Sequence, residues 1–226
     1  MSAKADAAEH VDTSKLSPQF HVAHHFDTAT TQFDAGRMGV WLFLVTEILL
    51  FGGLFCAFAI FRSKYFDSFV EAHHHLDRVM GGINTLVLIC SSFTMALAVR
   101  SAQKNETKKT TALLAITLAC AAGFLVVKYF EYGHKFHDGL LPGRFFFAEG
   151  FESGHAGIFF SIYFMMTGIH GLHVVIGMAL IMWIMLRNMK SEFSQRYYAP
   201  VENVGLYWHL VDLVWIYLFP LLYLVG

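Results

Sequence analysis

Long apolar segments alternate with short polar ones along most of the chain. Five apolar stretches occupy approximately residues 38–62, 81–100, 110–130, 156–186 and 204–225. A helix needs roughly 20 apolar residues to cross about 30 Å of hydrocarbon. Backbone groups in lipid must be hydrogen bonded within the protein, and continuous apolar runs of this length are typical of helices rather than of barrel strands. The pattern therefore predicts an all-α integral membrane bundle of five transmembrane helices.

The polar segments predict a tail and a single membrane domain. Residues 1–36 are polar and lack the basic-then-apolar order of a secretory signal, so we expect an uncleaved cytoplasmic tail. Within residues 37–226 the connections between spans are too short to fold separately, and no internal repeat is evident.

The distribution of basic residues indicates an orientation. With a cytoplasmic N-terminus and an outer C-terminus, ten of the 16 Lys and Arg residues lie inside, including those of the RSAQKNETKK turn between the second and third spans. Six lie outside. Because cytoplasmic loops carry an excess of Lys and Arg, we expect this orientation.

Composition excludes several classes of protein. With 56% hydrophobic and 15% charged residues, the chain is too apolar for an ordinary soluble domain. The net charge of -1 and the scattered basic residues argue against nucleic-acid binding. Cys56, Cys90 and Cys120 lie in apolar runs without CxxC spacing, so we expect buried small side chains rather than disulfides or metal ligands.

Two carboxyl groups fall inside predicted spans. A charged side chain at mid-membrane costs about 2.5 to 3.5 kcal/mol on insertion scales, and Glu47 lies near the middle of the first span. It is either a protonated carboxyl bonded to a neighbouring helix or a proton-linked, partner-facing site. Asp212 shares a helical stripe with Gly205, Trp208 and Trp215 on the last span. We expect the polar faces of these helices to meet.

Histidines also occur within the spans. His170 and His173 are three residues apart and share one helix face, and His209 lies on the last span. They could ligate haem or a metal, but acidic or thiolate residues are not placed beside them, which favours hydrogen bonds between helices. Gly168 and Gly171 predict close approach of another backbone.

Three weaker features lie towards the outer side. The triplet His73–His75 in the first outer loop is interpreted as solvated, with a zinc site as the alternative. Lys128 and Glu131, three apart on one face near the outer end of the third span, predict a snorkelling ion pair. Pro220 predicts a kink near the outer end of the last helix.

Three segments together resemble the cytochrome c oxidase subunit III family of haem–copper terminal oxidases. They are RMGVWLFLVTEILLFGGLFCAF, TGIHGLHVVIG and VGLYWHLVDLVWIYLF, which occur in the family's order, and KYFEY and INT agree as well. The resemblance runs from about Arg37 to the C-terminus. The chain matches the last five helices of the seven-helix members and has a hydrophilic tail where those members have two further helices. In this it is similar to the five-helix bacterial members.

This resemblance implies a chain with no catalytic, cofactor or metal site of its own. Haems and copper are expected in partner subunits I and II of a complex in a bacterial cytoplasmic membrane that oxidises cytochrome c, reduces oxygen to water and pumps protons. This chain is expected to stabilise subunit I, hold phospholipid and support proton uptake.

The resemblance also implies roles for individual residues. Glu47 aligns with a membrane carboxyl that faces subunit I, and Arg187 with a basic residue that meets lipid phosphate. Further residues fall on matching motif positions, namely His170, His173, Trp208, His209 and Asp212.

The residues alone are also compatible with other functions. A quinol oxidase or nitric-oxide reductase would differ in partner rather than fold. A small proton-coupled transporter could use Glu47, Asp212 and the histidines of the spans as a relay, although no inverted repeat and no paired broken helices are seen. A membrane haem protein is a third class. In the tail, His21, His24 and His25 form either a proton-collecting cluster or a solvated spacer.

Overall fold

Helices make up most of the part of the chain that the structure describes. The computed structural model describes residues 24, 26, 28–147, 151, 154–193 and 197–224. Its helices are α1 (Ala29–Lys64), α2 (Phe66–His73), α3 (Arg78–Gln103), α4 (Thr107–His137), α5 (Ala156–Met189) and α6 (Ala199–Phe219). Between α4 and α5, an isolated β-bridge joins Leu140 to Phe146. All helices except α2 are long and apolar enough to cross a membrane, which confirms the predicted five-helix fold.

The helices extend beyond the apolar stretches that predicted them. α1 begins at Ala29, inside the segment 1–36 that was expected to be a tail, because Thr28 caps it. The Thr28 hydroxyl accepts a hydrogen bond from the Thr31 N–H at 3.1 Å. α4 continues to His137 rather than ending near 130. Hydropathy marks the part of a helix that suits lipid, whereas its caps determine where it ends.

The short helix α2 was not predicted. It follows α1 in the first connection and packs against α5 and the last turn of the chain. Phe69 and Ala72 are fully buried on its inner face. The connection is therefore a packed part of the bundle and not an exposed loop.

Helices α3 to α6 form the main bundle, and α1 lies against one side of it. α3 and α5 each pack on both α4 and α6, whereas α1 contacts α5 and α6 less extensively. The buried residues of α1 among those described are Leu44, Phe51 and Phe58, spaced seven apart. This spacing makes a narrow seam, and most of the α1 surface is left for lipid or a partner.

Two glycines allow α6 to pack closely. A Cβ on Gly177 of α5 would lie 2.7 Å from the Trp208 ring, and one on Gly205 would lie 3.0 Å from Val99 of α3. By contrast, nothing lies within 4 Å of a Cβ built on Gly168 or Gly171. The predicted close approach at that second pair is therefore wrong for contacts within this chain.

The chain changes helix type at Pro220. α6 ends at Phe219, and Pro220–Leu224 forms a π-helical turn. Proline has no N–H to continue the α-helical hydrogen bonds, so the position where a kink was predicted is a change of helical geometry. The turn buries Leu222 and Tyr223 against the bundle.

Part of the predicted tail lies outside the described residues. This includes His21 and His25, whereas His24 is described and exposed. The proposed proton-collecting role of these histidines stays a prediction.

Candidate functional site

Glu47 and His173 join α1 to α5 at the seam between them. The Glu47 Oε2 atom lies 2.8 Å from His173 Nε2, and the two side chains are 14% and 12% exposed. His173 Nδ1 lies 2.8 Å from the Ile169 carbonyl oxygen one turn earlier. Phe51 packs edge-on against the imidazole, with ring centroids 5.2 Å apart. The contact to a neighbouring helix that was predicted as one role of Glu47 is thus present.

The hydrogen bonds limit where protons reside in this pair. A carbonyl oxygen only accepts, so His173 Nδ1 carries a hydrogen that it donates to Ile169. One further proton is then held between Nε2 and the Glu47 carboxyl, either as a neutral pair or as an ion pair. Both forms give a strong contact, because in either case a single proton bridges the two groups.

A second polar seam joins α6 to α3. Tryptophan and histidine side chains on α6 reach small hydroxyl groups on α3, so each buried ring nitrogen has a partner. The contacts are Trp208 Nε1 to Ser91 Oγ at 2.8 Å, Trp215 Nε1 to Thr85 Oγ1 at 3.1 Å, and His209 Nδ1 to Ser92 Oγ at 2.8 Å. Trp208 and His209 therefore join α6 to α3 and are not hydrogen bonded to Glu47 or to the His173 ring in the described residues.

Asp212 is buried beside this seam. Asp212 is only 1% exposed, and neither of its carboxyl oxygens makes a hydrogen bond of ordinary geometry within the described residues. The Ser92 hydroxyl lies close enough to interact with it but is also bonded to His209. The two carboxyls predicted to meet other polar faces thus differ: Glu47 makes a 2.8 Å contact with His173, whereas Asp212 makes no comparable contact within the described part of the chain.

His170 does not share the surroundings of His173. It is fully buried between Phe124 and Trp215, with ring centroids 5.5 Å and 5.1 Å away. Neither ring nitrogen has a hydrogen-bond partner among the described residues, so the predicted inter-helix hydrogen bond is wrong for His170. His173 faces α1, whereas His170 faces α4 and α6. The two histidines therefore do not converge on one site.

The predicted snorkelling pair is instead a buried cluster. Lys128, Glu131 and Lys135 are buried, and Glu131 is bonded to both lysines and to two tyrosines. Its partners are Lys128 at 2.9 Å, Lys135 at 3.2 Å, Tyr163 at 2.7 Å and Tyr223 at 2.5 Å. Lys128 Nζ also lies 4.6 Å from the centroid of the Trp215 ring. Snorkelling was wrong because donors from α5 and the last turn satisfy the carboxylate inside the bundle.

The first residue of the histidine triplet is also buried rather than solvated. His73 is 5% exposed; its Nδ1 lies 2.7 Å from the Val70 carbonyl oxygen and its Nε2 lies 3.0 Å from the Arg78 guanidinium. Burial lowers the pKa of His73, and the nearby charges of His74, Arg78 and Arg62 lower it further. His74 and His75 are exposed, as expected.

Arg187 lies at the end of α5. Its Nε donates to Glu192 at 2.6 Å, and Tyr197 also bonds to the side chain. The guanidinium carbon lies 4.9 Å from the centroid of the Trp183 ring. A guanidinium has five N–H donors, so these contacts orient Arg187 and leave donors for a phosphate. Binding of lipid phosphate by Arg187 stays a prediction.

The described ranges contain no group of three or more His, Cys, Asp or Glu side chains that could hold a metal ion, which gives no support to zinc at the triplet. Cys56 and Cys90 are exposed and Cys120 is half-buried, so the prediction of buried cysteines is wrong. All three are free thiols.

Comparison with known proteins identifies the family. The sequence profile described as cytochrome c oxidase subunit III matches residues 19–226. The chain belongs to the cytochrome c oxidase subunit III family. This confirms the resemblance seen in the three membrane motifs, and it places the chain among subunits of haem–copper oxidases rather than transporters or membrane haem proteins.

Relatives of subunit III include components of two kinds of oxidase. Cytochrome c oxidase subunit 3 of a Synechocystis species is 35% identical over 85% of this chain and 76% of its own length. Quinol oxidase subunit 3 of Bacillus spizizenii is 31% identical over 91% of this chain and 97% of its own length. Cytochrome bo(3) ubiquinol oxidase subunit 3 of Pseudomonas putida is 29% identical over 85% and 88%, respectively.

Several residues that form these contacts were not singled out from the sequence. The hydroxyls of Thr85, Ser91 and Ser92 form one polar edge of α3, and their helical spacing was an available signal. Tyr163 and Tyr223 carried no such signal, because their approach to Glu131 depends on how α5 and the final turn pack.

Proposed function

We propose that this chain is the accessory, non-redox subunit III of a proton-pumping terminal oxidase in a bacterial cytoplasmic membrane. It packs against subunit I, which with subunit II carries the haems and copper, and it stabilises that catalytic core. Its N-terminus lies in the cytoplasm and its C-terminus outside. The observation that carries this proposal is the Glu47–His173 pair at an open side of a bundle of the subunit III family.

The surface of α1 supports docking of a membrane partner. Its buried seam is narrow, and apolar side chains such as Trp41, Leu42 and Leu49 are more than half exposed. A helix with so little contact inside its own chain gains stability when another subunit or ordered lipid covers it. Glu47 lies on this helix and fixes its rotation against α5, so that the same outward face is presented to the partner.

Support of proton uptake is proposed for the same pair. Because one proton is held between Glu47 and His173, the pair can exchange a proton without rearranging the helices. Phospholipid held at Arg187 would maintain the packing at the cytoplasmic ends of the helices.

We propose that cytochrome c is the electron donor of the complex. Quinol is the alternative electron donor, because the relatives include quinol oxidase subunits.

Two substitutions at Glu47 test the docking proposal. Glu47→Gln keeps the shape and lets an amide N–H donate to His173 Nε2, so assembly with the catalytic subunits is expected to persist. Glu47→Lys places a cation beside the imidazole at mid-membrane and is expected to prevent assembly. The measurement is the amount of this chain that copurifies with a tagged subunit I, normalised to its amount in membranes. Equal copurification of both variants would contradict the proposal.

A further inference from the structure

A polar cavity lies at the end of the bundle where α4 ends and α3 begins. Its volume is about 220 Å³, and its lining includes Asp77, Glu131, His134, Lys135 and Asp138. This volume is large enough for a polar group of several non-hydrogen atoms. It lies at the opposite end of the bundle from Arg187 and does not involve the Glu47 pair.

The cavity contains separated positive and negative groups. Glu131 is saturated by its hydrogen bonds inside the buried cluster, where two lysines face one carboxylate and leave one excess positive charge. Lys135 brings this charge to the lining. Asp77 and Asp138 bring two negative charges, and one oxygen of Asp77 also caps α3 by accepting from two backbone N–H groups. A ligand that carries both charges matches this lining better than a simple anion or cation.

A second cavity lies on the neighbouring face of α4. Its volume is about 230 Å³, and it is lined by Tyr129, Phe130, Gly133, His134 and His137. His134 lines both cavities. Tyr129 and Phe130 are 77% and 57% exposed, and nothing lies within 4 Å of a Cβ built on Gly133. An open, mainly aromatic groove of this kind at the end of a membrane span suits the first part of an acyl chain.

We infer that the two cavities form one site for a phospholipid with a zwitterionic, amine-bearing headgroup. Its phosphate lies towards Lys135, its ammonium group lies towards Asp77 and Asp138, and its acyl chain passes His134 into the aromatic groove. An anionic headgroup without an amine would offer no positive charge to Asp77 and Asp138. A soluble zwitterion would leave the groove uncovered. The site depends on this chain alone and does not rest on the proposed docking to subunit I.

Lipid retention tests this site. The purified protein, with whatever partners accompany it, is delipidated and offered phosphatidylethanolamine or phosphatidylglycerol with identical acyl chains, and bound lipid is counted by native mass spectrometry. Phosphatidylethanolamine is expected to be retained preferentially. Glycerophosphoethanolamine, which has the headgroup without chains, is expected to compete weakly. Equal retention of the two lipids, or equal competition by the chain-free headgroup, would overturn the inference.

Matched variants locate the binding. Gly133→Leu fills the groove and should lower retention at least about tenfold, since loss of about two buried methylene groups has that effect. Gly123→Leu is the control, because Gly123 lies on the same helix and also has nothing within 4 Å of a built Cβ. Asp138→Asn should reduce the preference for phosphatidylethanolamine by about two- to fivefold, as expected for one exposed ion pair. Asp67→Asn, an exposed aspartate of α2, should not.

These variants also define the contrary result. Equal retention by the Gly133→Leu and Gly123→Leu proteins, or an unchanged lipid preference in Asp138→Asn, would show that lipid binds elsewhere. The Asp138→Asn comparison keeps the test decisive if Gly133→Leu does not assemble.

Discussion

Removal of the Glu47–His173 contact should loosen α1 from the rest of the bundle. The test uses Glu47→Ala, His173→Ala and the double variant. Each single substitution leaves the other polar group without its partner across the helix boundary, whereas the double variant removes both. The His173→Ala variant also loses the ring contact with Phe51 and the hydrogen bond to Ile169, so its loss of stability is larger than the free energy of the Glu47–His173 contact alone.

The magnitude follows from measured contacts between membrane helices. Hydrogen bonds across such helices contribute about 0.6 kcal/mol on average and up to about 1.7 kcal/mol. A 2.8 Å contact between a carboxyl and an imidazole belongs at the stronger end of this range, because transfer of the proton to His173 turns the contact into a charge-assisted hydrogen bond. We therefore expect a coupling free energy of about 1 to 1.7 kcal/mol between Glu47 and His173.

The assay is unfolding of the chain in mixed micelles with increasing sodium dodecyl sulfate. The free energy of unfolding is measured for wild type, both single variants and the double variant. Glu47→Gln is the control that keeps the hydrogen bond and should remain within about 0.5 kcal/mol of wild type. Additive losses, which mean a coupling free energy near zero, would refute the argument that this pair fixes α1.

Four further predictions follow from other parts of the structure. Lys128→Met should lower the free energy of unfolding by about 3 kcal/mol or more, because Glu131 loses a buried partner, whereas Lys104→Met should have little effect. Arg187→Ala should reduce phospholipid counted by mass spectrometry in the purified complex. Acidification from about pH 8 to about pH 5 should lower the thermal stability of the wild type more than that of His73→Gln. The chain expressed without partners should show no haem band and no stoichiometric metal.

The sign of the His73 effect follows from its lowered pKa. The unfolded chain, with a histidine near its usual value of about 6.5, binds the proton more readily than the folded chain does. The contribution of His73 to stability is therefore fully present well above pH 6.5 and is lost as the pH falls below that value. Identical pH dependence in wild type and His73→Gln would contradict this account. For the remaining tests, the contrary results are equal stability of the two lysine variants, unchanged lipid in Arg187→Ala, and a haem spectrum of the lone chain.

The spans could be predicted because lipid imposes one simple requirement on them. An apolar run that must hydrogen bond its own backbone becomes a helix, so the number and order of the long helices follow from hydropathy. Hydropathy does not show where capping residues begin or end a helix. α1 therefore begins at Ala29, before its apolar run, and the packed helix α2 was read as part of a loop.

The partners of the polar residues could not be predicted from spacing. Glu47 and His173 are 126 positions apart, and nothing local indicates that they meet. His170 and His173 are three residues apart, so their side chains differ in direction by about 60° around the helix axis. This difference is enough for His173 to contact α1 while His170 packs against α4 and α6. Lys128 and Glu131 have the spacing of an exposed ion pair, and only the approach of Tyr163 and Tyr223 shows that they are buried.

Affinity purification tests whether this chain serves as the accessory subunit of a terminal oxidase. The tagged chain is isolated from native membranes in mild detergent, its partners are identified by mass spectrometry, and the optical spectrum and oxygen consumption are recorded with cytochrome c or with quinol. We expect equimolar subunits I and II, a haem spectrum and oxygen reduction supported by cytochrome c. Recovery of the folded, membrane-inserted chain without any haem-containing partner would contradict it.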